Sequence, residues 1–135
     1  MNEKNHELKK IVIIGAGGQG KDVLWTIMDI NKISSRFDII GFLDDDKKLH
    51  GKTINRVPVL GGMNWLSNKN KMGCIIAVGD GKIREKIVKK LKNVNVYFPS
   101  IIHPSVIMSD FVTIGKGTII HAGVMIPPDS EIGNF

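Results

Sequence analysis

Hydrophobic and polar residues along this chain keep one rhythm for its first two thirds and another thereafter. "IVII" at residues 11–14 is a β-branched run closed by glycines, the pattern of a strand buried on both faces of a parallel sheet. Behind it Val23, Leu24, Ile27 and Ile30 recur at helical spacing and predict a helix over residues 19–31. "FDIIGFLDDD" predicts a second strand ending in acids near Leu43, followed by a short extended piece at residues 57–60 and a short helix around residues 63–67. "GCIIAVGD" reads as a third buried strand closed by a tight turn. Ile83, Ile87, Val88 and Leu91 then mark one side of a helix over residues 81–92, and "NVNVYFP" reads as a fourth strand that stops at Pro99. Alternating strand and helix make a doubly wound, Rossmann-like α/β layer over residues 10–100, behind a loose polar tail at residues 1–9.

After Pro99 the period becomes six. Ile102, Met108, Ile114, Ile120, Ile126 and Ile132 are all large and aliphatic, and four residues after the first five of them stand Val106, Val112, Thr118, Val124 and Ser130, each small or β-branched. A strand would repeat every two residues and a helix every 3.6, so neither explains the run. One aliphatic and one small residue per hexad is the signature of a parallel β-helix, each hexad forming one wall of a coil. Gly115 and Gly133 directly follow the aliphatic and are assigned to corners that need a permissive backbone. A coil takes about 18 residues, so residues 101–135 hold an incomplete β-helix of fewer than two coils.

Composition narrows the function classes. The formal charge of +6 is densest in "KIREKIVKKLK", but no aromatic residues interleave those cations to stack on bases. The run therefore reads as a solvated helix face with some attraction for phosphorylated small molecules, and no nucleic acid is expected as a partner. The single cysteine, Cys74, lies in the apolar run "CIIAV" and excludes an internal disulfide or a cysteine-rich metal site. The start "MNEKNHELKK" is polar and the apolar run behind it is too short for a signal peptide or a membrane helix, so a cytoplasmic protein with no membrane partner is expected.

Three strand ends carry candidate chemistry. Gly15, Gly17 and Gly20 form G-x-G-x-x-G between the first strand and its helix: either their backbone N–H groups meet a phosphate at the helix N-terminus, or the glycines serve only a tight turn. Lys21 adds a point charge there or is solvated. Asp44 or Asp45 either contacts a ribosyl nucleotide or sugar or belongs to a solvated acidic turn, and Asp46 is assigned to solvent. Gly79 and Asp80, with Gly81, end the third strand on the same rim, with helix capping by Asp80 as the competing reading. His6 and His50 receive no role, His103 reads as a hydrogen-bonded junction residue, and His121 sits near a coil corner. No Ser/His/Asp set, carboxylate pair or metal spacing emerges, and Trp25 and Trp65 read as packing residues.

In order and spacing, "IIGAGGQGKDV", "GFLDDD", "LHGKTINRVPVLGG", "AVGDGKIREKI" and "IIHPSV" resemble the NeuD/PglD family of hexapeptide-repeat sugar acetyltransferases. The resemblance implies that the N-terminal module grips a nucleotide-linked sugar, and that a left-handed β-helix forms a homotrimer with acetyl-CoA as cosubstrate bound between subunits, in bacterial surface glycan synthesis. Carried over, the backbones of Gly15, Gly17, Gly18 and Gly20 approach the nucleotide phosphates, while Asp44 or Asp45 and Asp80 contact polar groups of the ligand. Gln19 stands where the family usually has His, which keeps a hydrogen-bonding group and removes a titratable one. The family's general-base histidine lies just beyond Phe135, so no catalytic residue is assigned, and the polypeptide is expected to bind substrate with little turnover. An NAD-binding or other dinucleotide-sensing domain, and a non-catalytic regulatory module that keeps the sugar site, are the alternatives.

Overall fold

The computed structural model describes residues 7–135. Most of the expected tail, and His6 with it, lies outside the described residues, and Lys9 belongs to the first strand rather than to a tail. That strand, β1 (Lys9–Ile14), buries Ile11 to Ile14 completely or nearly so. Helix α1 (Gly18–Ile33) follows, with Val23, Leu24, Ile27 and Ile30 buried as the stripe predicts. Next come β2 (Phe37–Leu43), β3 (Thr53–Ile54), β4 (Val57–Gly61), β5 (Met72–Ile76), α2 (Gly81–Lys90) and β6 (Val96–Tyr97).

The six strands lie in the order β3-β4-β2-β1-β5-β6, parallel except for the β3-β4 hairpin. Asn55 and Arg56 turn that hairpin with φ of 47° and 70°, the primed geometry that matches strand twist, and the sequence reading missed it because neither residue is glycine. The expected short helix is the 3-10 turn Met63–Asn68, and the fourth strand is only two residues long. The core has two layers. On one face of the sheet α1 packs with Ile11, Ile13, Phe42 and Ile75; on the other, α2 and the 3-10 turn pack with Val12, Ile14, Leu43 and Ile76. Cys74 is fully buried in the second layer, and burial pushes its thiol up to about 12, which makes it an inert packing residue.

From β1 the chain winds outward through β2 and β4, then returns to the other side of β1 for β5 and β6. The connections therefore diverge between β1 and β5, and an open α/β sheet leaves a crevice outside its strand ends at such a point.

The hexads wind as expected. β7 (Ile101–Ile102), β8 (Ile107–Met108) and β9 (Thr113–Ile114) pair in parallel with β10 (Ile119–Ile120), β11 (Met125–Ile126) and β12 (Glu131–Ile132), making three two-stranded walls. Ile114, Ile120 and Ile126 stand on three successive walls, and the last two are buried. The corners differ from expectation. Positive φ falls at Gly117 (68°), Gly123 (79°) and Asp129 (61°), one hexad apart, and not at Gly115 or Gly133. Gly115 is needed for a different reason: a Cβ there would lie 2.5 Å from the backbone of Gly133 in the coil stacked on it, whereas at Gly133 a Cβ would meet nothing.

The coil is fastened to α1. Ile101 is fully buried in the same cluster as Leu24 and Ile27, and His103 Nε2 lies 2.9 Å from Asp29 Oδ2. His103 Nδ1 faces the amide of Ser105 at 3.0 Å and its hydroxyl at 2.8 Å, so Nδ1 accepts and Nε2–H donates to the carboxylate. Ser105 Oγ in turn accepts from the Gly123 amide of the stacked coil. A Ser/His/Asp set thus exists, contrary to the sequence reading, but each member is bonded to the frame and the set acts as a strut. His103 is the junction residue expected, while Trp25, tilted against its ring, remains 53% exposed and is only half a packing residue.

The Asp29 carboxyl is held below the usual carboxylate range, first by Lys32 and then by His103. A carboxylate whose pKa is lower folded than unfolded stabilises the fold above the unfolded value and loses that contribution as pH falls through the folded one. Asp29→Asn is therefore expected to lower the Tm at neutral pH and to flatten its decline below about pH 4, followed by thermal melts across that range. Parallel declines for parent and variant would contradict this.

Candidate functional site

The glycine loop divides its labour. Gly15 has φ of 104°, and Cβ atoms built at Gly15 and Gly20 would lie 2.6 Å from the Ala77 carbonyl and 2.1 Å from the Gly15 carbonyl. These two glycines let strand and helix approach. Gly17, the N-cap of α1, and Gly18 have nothing within 4 Å of a built Cβ, and no side chain caps the helix. The Gly18, Gln19 and Gly20 amides precede the bond from Lys21 N–H to Gly17 O, so they carry the partial positive charge of the helix end, with Gly18 and Gln19 exposed and Gly20 buried. The tight-turn reading holds for Gly15 and Gly20, while Gly17 and Gly18 are not needed for packing.

The acids turn out to be tied into the frame. Asp44 Oδ2 accepts from Ala16 N–H at 3.0 Å and Oδ1 from Asp46 N–H at 2.9 Å, stitching the glycine loop to the end of β2. Asp45 Oδ1 accepts from Met63 N–H at 3.1 Å. Asp46, expected to face solvent only, caps the turn at Lys47–Leu49 by accepting from Lys48 N–H. Asp80 accepts from Lys82 and Ile83 N–H groups and caps α2, which is the competing reading realised. His50, given no role, donates to the Asp44 carbonyl at 2.6 Å.

Two hollows adjoin at the strand ends. A crevice of about 240 Å³ at the divergence point is lined by Ile14, Gly15, Leu43, Asp44, Asp45, Met63 and Val78, with Ile83, Lys86 and Lys90 from α2. Ile83, expected in the helix stripe, is 47% exposed because it looks into this crevice. Lys86 and Lys90, one helical turn apart, escaped the sequence reading because a lysine-rich helix looks uniformly solvated; the signal was their (i, i+4) spacing on a helix that starts at the rim. A second cleft, of about 320 Å³, separates the end of β5 from the coil and is lined by Gln19, Val78, Arg84, Gly117, Thr118 and Asn134 among others. Gln19 Nε2 also lies 3.3 Å from His121 Nε2, which joins the glycine loop to the coil. Gly79 lies on the turn between the hollows, its carbonyl accepting from Arg84, while Lys21 is exposed and lines neither. Val78 lines both hollows, so a ligand longer than either could occupy the two together.

This geometry has relatives. The model of the PglD N-terminal domain matches residues 10–91, from β1 through α2. The chain belongs to the PglD N-terminal domain family. The chain is 30% identical to the UDP-N-acetylbacillosamine N-acetyltransferase of Bacillus subtilis over 126 residues, covering 85% of this chain and 52% of that one. The acetyltransferase domain of PglB from Neisseria gonorrhoeae, solved with acetyl coenzyme A, superimposes with a TM-score of 0.82 at 28% identity, over 95% of this chain and 60% of that one. PerB from Caulobacter crescentus, solved with CoA and GDP-perosamine, gives a TM-score of 0.78 at 28% identity, over 95% and 58%. The PglD-family chain described here thus spans little more than half the length of these relatives.

Proposed function

We propose that residues 10–100 grip a nucleotide-linked sugar and that the chain supplies this substrate-holding part of an acetyl-CoA-dependent sugar acetyltransferase of bacterial surface glycan synthesis. The observation that carries the reading is the pair of adjoining hollows, one beside Gly15 at the start of the glycine loop and the other between Gln19 and the coil. The crevice, with apolar Met63, Val78 and Ile83 beside Lys86 and Lys90, suits a nucleoside, and the cleft suits the sugar. Acetyl-CoA is the proposed cosubstrate, by analogy with the relatives solved with CoA or acetyl-CoA. No described residue is assigned as the base.

The dinucleotide reading is less well supported. An acid that holds ribose hydroxyls needs free lone pairs, and each oxygen of Asp44 already gives one to a backbone amide, as does Asp45 Oδ1. The coil also counts against it, since a dinucleotide-binding domain has no reason to continue into a β-helix.

The coil, residues 101–135, is proposed to wind left-handed and to assemble the whole enzyme as a homotrimer. Its β8-β11 wall turns Ile107 and Met125, 67% and 73% exposed, outward side by side, an apolar pair suited to burial against another copy. Among the described residues no helix is long and apolar enough to cross a membrane, and the cytoplasm is the proposed location. Calorimetric titration with a UDP-linked amino sugar, NAD and acetyl-CoA in parallel tests the reading. The amino sugar is expected to bind and NAD to bind weakly or not at all; tighter binding of NAD would overturn it. Sedimentation of Met125→Glu beside the parent checks the assembly, and identical trimer content in the two would contradict the role of that wall.

A further inference from the structure

We propose that a third hollow, between the end of α2 and the coil, binds a small anionic amphiphile: one short alkyl or aryl body with a phosphate or carboxylate head. The second core layer runs out of cover there. β6 is the last strand of the sheet and only two residues long, and among the described residues no further strand flanks it. α2 ends at that edge, and Val88, Leu91, Val94, Val96 and Phe98 of the layer form the floor of a hollow of about 280 Å³. Leu91 is buried, but the other four are only half-buried. Apolar side chains left partly wet around a concave floor gain by receiving an apolar guest. The volume lies just under the roughly 300–1,000 Å³ of drug-sized sites, so the guest has one short chain or ring.

The rim is wholly basic. Lys89, Lys92 and Lys116 line it, and no carboxylate does. Lys89 has Glu85 at 2.8 Å, outside the hollow, whereas Lys92 and Lys116 take part in none of the ion pairs among the described residues. The negative end of the helix dipole accounts for lysines in the last turn of α2 and just beyond it. It does not account for Lys116, which the coil supplies. That residue is fixed through its backbone: its N–H donates to Asn134 Oδ1 at 3.0 Å, and its carbonyl accepts from Phe135 N–H at 3.0 Å. The next amide, of Gly117, donates to the carbonyl of Phe98 on the floor, also at 3.0 Å.

Helix and coil thus present cations to one apolar bowl. An anionic head between them relieves their mutual repulsion, a neutral guest leaves it standing, and a cation adds to it. The hollow shares no lining residue with the crevice or the cleft. α2 turns Ile83, Lys86 and Lys90 to the crevice and Val88, Lys89 and Leu91 to this side, so the proposal does not depend on the nucleotide-sugar reading.

The probe is octyl phosphate, kept below the concentration at which it forms micelles, and the readout is the methyl resonances of the full chain. Val88, Leu91, Val94 and Val96 are expected to shift while Met63 and Ile83 of the crevice do not. Octyl phosphate is expected to bind about tenfold or more tightly than octyltrimethylammonium, which reverses the head, or inorganic phosphate, which lacks the body. Replacing both cations, Lys92→Gln with Lys116→Gln, is expected to remove about tenfold of that affinity, and Lys82→Gln, outside the hollow, to leave it unchanged. Both lysines are exposed, so the double variant is expected to melt with the parent; should it unfold, the comparison of the three probes on the parent decides alone. Equal affinity for the ammonium compound or for inorganic phosphate, shifts confined to the crevice methyls, or an affinity indifferent to the two lysines would overturn the proposal.

Discussion

Gly20→Ala is expected to destabilise the protein by about 3 kcal/mol, the upper end for overpacking, and to abolish the proposed nucleotide-sugar binding. The new methyl would sit 2.1 Å from the Gly15 carbonyl oxygen, a backbone atom that cannot swing aside. Gly15 is itself confined, with its own α-hydrogen side against Ala77, so the collision must be relieved by moving the first turn of α1 away from β1. Alanine gains up to about 1 kcal/mol over glycine in helix propensity, which does not offset such a clash. Gly18→Ala separates structure from function on the same loop. Its methyl meets nothing within 4 Å, so stability should hold while affinity falls because the group occupies the space a phosphate would approach. Urea denaturation and calorimetry on both variants decide the matter. Gly20→Ala folding as stably as the parent, or Gly18→Ala binding as well as it, would contradict this division.

Ile101→Ala is expected to destabilise by about 3 kcal/mol, within the range for emptying a large aliphatic site that cannot collapse. Ile101 is the first coil residue and is fully buried with α1, so its side chain serves two structures at once. Removing it leaves the coil held by lesser contacts: the His103–Asp29 and Gln19–His121 bonds and the packing of Ile119 and Phe135 against the two core layers. The cleft facing the coil should lose definition while the crevice, framed by β1, β2 and α2, remains. A loss below about 1 kcal/mol, typical of a surface change, would show that the two parts are not welded at this point.

How far such features can be read from sequence depends on whether their cause is local. The strands at β1 and β5, the stripe of α1 and the six-residue period are local in origin, since burial on both faces, burial on one side and a three-walled coil each impose their own spacing. What Asp44 and Asp45 bind is not local: their partners, Ala16 and Met63, lie well away along the chain and come near only when the sheet closes. Asp29 likewise reaches His103 only through the docking of the coil, and Gly123 reaches Ser105 only through the stacking of one coil turn on the next. Ile83 misled for the opposite reason. Its spacing is that of a core stripe, but the helix overhangs a gap in the sheet, so helical periodicity alone cannot tell a core from a crevice. Arg84 reads in sequence as one more cation of a basic helix, and only the carbonyls beneath it distinguish it.

The three coil walls each consist of two strands only two residues long, whose partners lie eighteen residues apart in sequence. Closing a loop of that size for so few hydrogen bonds is an entropic loss that no single wall recovers by itself. The coil must therefore inherit its order: the sheet and α1 assemble first from nearby segments, Ile101 anchors, and the walls zip outward from that seed, which leaves the turn farthest from the anchor the first to fray.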